Sequence, residues 1–199
     1  MSTSYHESGR TRQKQRTRDL LIATARELMG AGDTPRVEEV AEAAGISRTT
    51  AYRYFPSQAE LLAAAYPETT ATSVLPDPAP SDILERVGAV AEFVIARVQE
   101  NEEQQRAMLR LSLGSTPHDL PLRQGRAIPW FVEALAPAAD DLGDEGLHRL
   151  ALALRAACGI ETRVWLSDVA ELSPGEVNEL QRWMVEALLH HAASSQPPT

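Results

Sequence analysis

Seven residues within eight positions, Ser47, Arg48, Thr49, Thr50, Tyr52, Arg53 and Tyr54, bring hydroxyl, guanidinium and phenol groups together on one short segment. A guanidinium can give two parallel hydrogen bonds to guanine O6 and N7. A threonine can bond a base edge or touch a thymine methyl group. On phosphate oxygens the same groups would fix register without reading sequence.

Other chemistry finds less support. Ser112 and Thr116 have no acid or base partner at a readable spacing, so no catalytic constellation is expected and the chain does not read as an enzyme. His190 and His191 are adjacent and would point about 100° apart on a helix, while His6, His118 and His148 are scattered. Neither a metal site nor a cofactor is expected. Cys158 is the only cysteine, which excludes an intramolecular disulfide and fits a small apolar residue in a packed helix. Glu161, near Arg155 and Arg163, reads either as a surface ion pair or as a buried polar group that orders a dimer or meets a ligand.

The elements that must position the 47–54 segment are helical. Strand signals are nearly absent and apolar residues recur at three- and four-residue spacing, which predicts an all-α fold of about nine helices. A first helix is expected over about Thr11–Met29, ended by Gly30 and Gly32, and a short one over Val37–Ala44. Gly45 then supplies a left-handed turn residue and Ser47 caps a third helix over Arg48–Tyr54. In that helix Ala51 and the following Phe55 pack inward, which turns Arg48, Thr49, Tyr52 and Arg53 outward. Pro56 stops it, and Ser57 with Glu60 has the spacing of a capping box for a fourth helix. Two short helices joined by a glycine turn, with small residues Ala41, Ala44 and Ala51 where they cross, form a helix-turn-helix within Val37–Tyr66.

Charge separates the chain into two regions. The total is −9, but residues 1–66 hold nine Lys/Arg against eight Asp/Glu, whereas 67–199 hold ten against twenty. Arg10, Arg12, Lys14, Arg16 and Arg18 lie in nine residues without an acid. That run either continues the first helix, forms an arm along phosphates or in a minor groove, or is a solvated tail. An acidic body would repel nucleic acid and leave the N-terminal region as the face that approaches it.

The run of matches from Arg16 to Tyr66 resembles the TetR family of bacterial transcriptional regulators. It comprises a helix ending in A-R-E-L, then E-V-A-E-A-A-G-I-S, T-x-Y-R-Y-F and a capped A-E-L-L-A-A-A helix. The resemblance implies that Ser47, Arg48, Thr49 and Tyr52 face base edges, and that Thr50, Arg53 and Tyr54 neighbour phosphates. Two positions depart from the pattern. Gln58 stands where the family usually has a phosphate-binding lysine, and Arg36 where it usually has Ser or Thr. Arg36 could restore the missing charge.

The domain division is expected at the Pro-rich 67–81 stretch, giving a DNA-binding domain over 1–66 with its basic N-terminal arm and a larger helical domain over 67–199. Helices are expected over Asp82–Gln99, Glu102–Leu113, about Leu122–Ala136 with Pro129 kinking it or marking its start, Asp144–Ala170 and Pro174–Ala193. The resemblance implies a homodimer through the last two helices, double-stranded operator DNA as partner and a small-molecule effector. Phe93, Arg97, Met108, Trp130, Phe131 and Trp165 are the candidates for lining the effector cavity. The absence of an apolar run near 20 residues or of a signal peptide leads to the expectation of a cytoplasmic protein that does not enter a membrane. The alternative is a DNA-binding protein with no ligand, in an architectural or constitutive role.

Overall fold

The computed structural model describes residues 4–66, 71–113, 125, 127–195 and 197–198, with side chains from residue 11 onward. The described residues are all-helical. Ten α-helices, with one 3-10 turn over Ala136–Ala138, run in the order α1 (Ser4–Gly30), α2 (Val37–Ala43), α3 (Arg48–Tyr54), α4 (Gln58–Ala65), α5 (Ile83–Glu100), α6 (Glu102–Leu113), α7 (Ile128–Leu135), α8 (Ala139–Cys158), α9 (Ile160–Asp168) and α10 (Pro174–Ala192). The expected start of the seventh helix at Leu122, and the residues Thr116 and His118, lie outside the described residues. No described helix is long and apolar enough to cross a membrane.

Contacts divide the chain into two units, the first containing residues 1–68 and 103–123, the second 69–102 and 124–199. The sequence division at 66/67 groups α6 with the C-terminal region, but its contacts group it with the N-terminal unit. The reason is apolar. Met108 is buried in one cluster with Leu21, Ala25, Met29, Val37, Val40, Ala41, Ala51, Phe55, Leu61, Leu62 and Ala65, and Leu111 packs against that cluster. Arg110 also donates from Nη2 to the carbonyl of Gly32 at 2.8 Å. Helix α1 is continuous from Ser4, so the basic run extends the helix rather than forming a separate arm.

In the second unit, α5, α7, α8 and α10 pack around a core that includes Val87, Val94, Phe131, Leu135, Leu150, Leu154, Val177 and Val185. The apolar spacing of three and four residues along each helix puts these side chains on its inner face. Pro129 lies in the first turn of α7 and marks its start, where a missing N–H removes no helical bond. Ser173 caps α10 by accepting from the N–H of Glu176, whose carboxylate accepts in return from the N–H of Ser173.

The continuous helix expected over Asp144–Ala170 is two. It breaks at Gly159, whose backbone is extended with ψ 167°. Arg155 Nη1 donates to Glu161 Oε2 at 2.9 Å across the break, and a Cβ on residue 159 would lie 2.4 Å from that carboxylate oxygen. A side chain at residue 159 would make one end of that pair shift. Gln181 on α10, fully buried, donates from Nε2 to the carbonyls of Ala157 and Gly159 at 3.0 and 3.5 Å, and the first of these is a carbonyl near the end of α8.

Arg163 is 2% exposed. Its Nε donates to Glu102 Oε2 at 2.6 Å and its Nη1 to Asn178 Oδ1 at 2.8 Å, while Asn178 donates to Gln99 Oε1 at 2.8 Å. Cys158 is buried at the end of α8, and burial pushes its thiol up to about 12. The thiolate is the reactive form. Alkylation of native protein by iodoacetamide near neutral pH should therefore be negligible and should track unfolding in denaturant. Rapid labelling of the folded chain would contradict this burial.

Candidate nucleic-acid interface

The interface is built on the joint between α2 and α3. Gly45 adopts φ +66°, a region that costs an L side chain energy and glycine little. The N–H of Ile46 bonds the carbonyl of Ala41 at 2.8 Å and that of Gly45 bonds Glu42 at 3.1 Å, which closes α2 with a Schellman turn. Ser47 then opens α3, accepting from the N–H of Thr50 at 3.3 Å and donating to its Oγ1 at 2.9 Å. Ala51 and Phe55 face the core, so Ser47, Arg48, Thr49, Tyr52 and Arg53 all lie exposed. Tyr54 is half-buried against the core, and the Arg53 guanidinium lies 5.7 Å from its ring centroid.

Acids from α2 reach this face. Tyr52 donates its hydroxyl proton to Glu38 Oε2 at 2.7 Å. That bond is the main cause holding the Glu38 carboxyl below its ordinary range and the Tyr52 phenol above its own. Arg36 lies 3.6 Å from Glu38 and 2.9 Å from Glu39. Glu39 also accepts from the backbone N–H of Arg36 at 2.7 Å, and this bond leads the causes that keep its carboxyl low. Arg48 makes no hydrogen bond or ion pair among the described residues. Its charge lies close enough to Glu38 to help keep that carboxyl low, while its N–H groups stay available to a ligand.

This geometry suits entry of α3 into a major groove, with polar and basic groups outward and small or apolar ones inward. Residues 21–65 match the family model described as bacterial regulatory proteins, tetR family. This segment is a tetR-family DNA-binding region. The chain that carries it is a DNA-binding transcriptional regulator. Comparison with curated proteins and with solved structures returns no match.

Around the tetR-type region the other candidates take different positions. Gln58 donates from Nε2 to the carbonyls of Thr34 and Pro35 at 2.7 and 3.1 Å, so both amide protons are used inside the unit. Its remaining polar atom is an acceptor, which phosphate cannot use. Arg12, Lys14, Arg16 and Arg18 are exposed on α1, and the Arg18 guanidinium lies 5.4 Å from the Phe55 ring centroid. Sequence reasoning missed Glu38 as the partner of Tyr52. The available signal was an acid in the first turn of α2, which reads equally well as complementing the helix dipole.

The structure brings two of the effector candidates into contact. Phe93 and Trp130 meet edge to face, with centroids 5.4 Å apart, and Phe131 is fully buried beside Trp130 in sequence. Arg97 is half-buried further along α5, Trp165 is 58% exposed on α9, and Met108 belongs to the core of the N-terminal unit. A cleft of about 740 Å³ in the C-terminal unit is lined instead by Ile83, Leu84, Leu142, Leu150, Leu189 and their neighbours.

Proposed function

We propose that the protein is a homodimeric repressor that binds a palindromic operator and leaves it when a small apolar or amphipathic effector enters the C-terminal unit. The observation that carries the reading is the outward face of α3, where Arg48 lies exposed beside Thr49 and Tyr52. Two such faces, held by a two-fold dimer, would read two half-sites of opposite orientation.

The last two helices support the dimer. On α10 the residues turned to the core are Val177, Gln181, Val185 and Leu189. A second stripe, Leu180, Trp183, Met184 and Ala187, runs beside the first, with Trp183 63% exposed. Trp165 and Val169 on and just after α9 add exposed apolar surface. A chain in water leaves such surface open at a cost, and a second copy covering it gives a four-helix seam. The effector part of the reading rests on the aromatic pair Phe93–Trp130 and on linkage: a ligand that favours a state with unsuitable spacing of the two α3 helices lowers DNA affinity by the same factor that DNA lowers its own.

The test is selection from a random duplex pool, followed by light scattering of the free protein. The expected results are a two-fold symmetric consensus and a dimer mass. Trp183→Glu places two charges in the seam and should yield a monomer at micromolar concentration with at least a hundredfold weaker operator binding. A wild-type monomer, or a consensus without symmetry, would overturn the proposal.

A further inference from the structure

We infer that Glu38 is a positioning residue that sets what Tyr52 can read, by holding the phenol proton so that Tyr52 meets DNA as a hydrogen-bond acceptor only. The inference rests on the DNA-binding reading above and adds a determinant of its specificity.

Tyr52 is 44% exposed at the centre of the outward face of α3, so its ring and oxygen are presented rather than packed. A phenol has one proton to give and lone pairs to receive with. In this structure the proton goes to Glu38 Oε2 at 2.7 Å, between the two helices of the joint. The acceptor is itself held, because Arg36 lies 3.6 Å from the other oxygen of the same carboxylate. A charge-assisted bond of this kind is stronger than one between neutral groups, so the proton is not readily transferred to a base. The mutual displacement of the two titrations, phenol upward and carboxyl downward, agrees with this geometry.

The consequence follows from the major-groove pattern. Guanine N7 and O6, adenine N7 and thymine O4 are acceptors, and a phenol whose proton is occupied cannot bond them. Adenine N6 and cytosine N4 carry amino protons, which it can receive, and a thymine methyl group can lie against the ring. Phosphate oxygens are excluded for the same reason as the base acceptors. Glu38 thus turns a hydroxyl that could bond almost anything into one that favours amino-bearing bases.

Selection from a random duplex pool with wild type, Glu38→Ala, Glu38→Gln and Tyr52→Phe tests this. Wild type should show one position per half-site that favours adenine or cytosine on the strand facing Tyr52. Glu38→Ala frees the proton and should shift that position toward acceptor-bearing bases or flatten it, by about fivefold or more in relative preference. Glu38→Gln keeps a carbonyl acceptor and should retain the wild-type preference, while Tyr52→Phe should flatten the position. A Glu38→Ala consensus identical to wild type overturns the inference, even if that variant melts lower, because a purely structural carboxylate would change stability alone. Enrichment of no sequence by the wild type would instead overturn the DNA-binding reading itself.

Discussion

Arg48→Ala is expected to weaken sequence discrimination sharply while leaving the fold intact. The side chain is exposed and bonds nothing among the described residues, so its removal creates neither a cavity nor an orphaned partner. A bidentate arginine–guanine contact contributes about 1–3 kcal/mol, and a symmetric operator contains two. For the proposed dimer the loss is then about 30-fold at the low end and about 20,000-fold at the high end. Binding to random duplex should fall by only a few fold, since one cation per subunit is removed from the electrostatic contribution. The decisive quantity is the ratio of selected to random affinity, measured by fluorescence anisotropy at one salt concentration. Equal loss on both duplexes would make Arg48 a phosphate contact and remove it from base readout.

The largest effect on stability is expected at Arg163. It is 2% exposed, bonded to Glu102 and Asn178, and set between α9, α10 and the beginning of α6. Removing one member of a buried ion pair destabilises by about 3–5 kcal/mol, and the Glu102 carboxylate, 24% exposed, keeps part of its hydration, which places the loss toward the low end. Arg163→Ala should lower the melting temperature by about 6–15 °C in a chain of this size. Arg163→Met together with Glu102→Gln removes both charges, keeps most of the volume and should restore more than half of that loss. A shift below 2 °C for the alanine variant would show that the pair contributes little and that the buried guanidinium is replaceable.

Much of the DNA-binding half could be read in advance because its determinants are local. Gly45, Ser47 and Ser57 act on backbone groups within four residues of themselves, and the bounds Arg48–Tyr54 follow from a cap at one end and Pro56 near the other. The outward face of α3 follows from Ala51 and Phe55 facing inward. Gln58 was harder to place, since its partners Thr34 and Pro35 are more than twenty residues away and only the folded chain brings them together. The same holds for Tyr52 and Glu38. In the C-terminal unit the period-3.6 pattern located α5 and α10 closely, yet it ran through Gly159. One small residue within an apolar pattern does not disturb that pattern, and the pair that spans the break, Arg155–Glu161, becomes visible only in the folded chain. Trp165, a candidate for lining the effector cavity, is 58% exposed on α9 beyond that break. Gln181 gives no sequence signal at all, because its partners are carbonyls exposed only by that break.

The two bonds from Gln58 have a mechanical side. A side chain on the first turn of α4 grips two successive carbonyls just before α2, so the start of α4 and the start of α2 behave as one gear rather than two. Arg36 and Glu38 ride on the second of these, and Tyr52 is tethered to Glu38. A line of bonded groups therefore runs from α4 through the start of α2 to the phenol. A lysine at position 58, extended toward phosphate, would disengage that gear and leave the reading face to turn independently of the helix behind it.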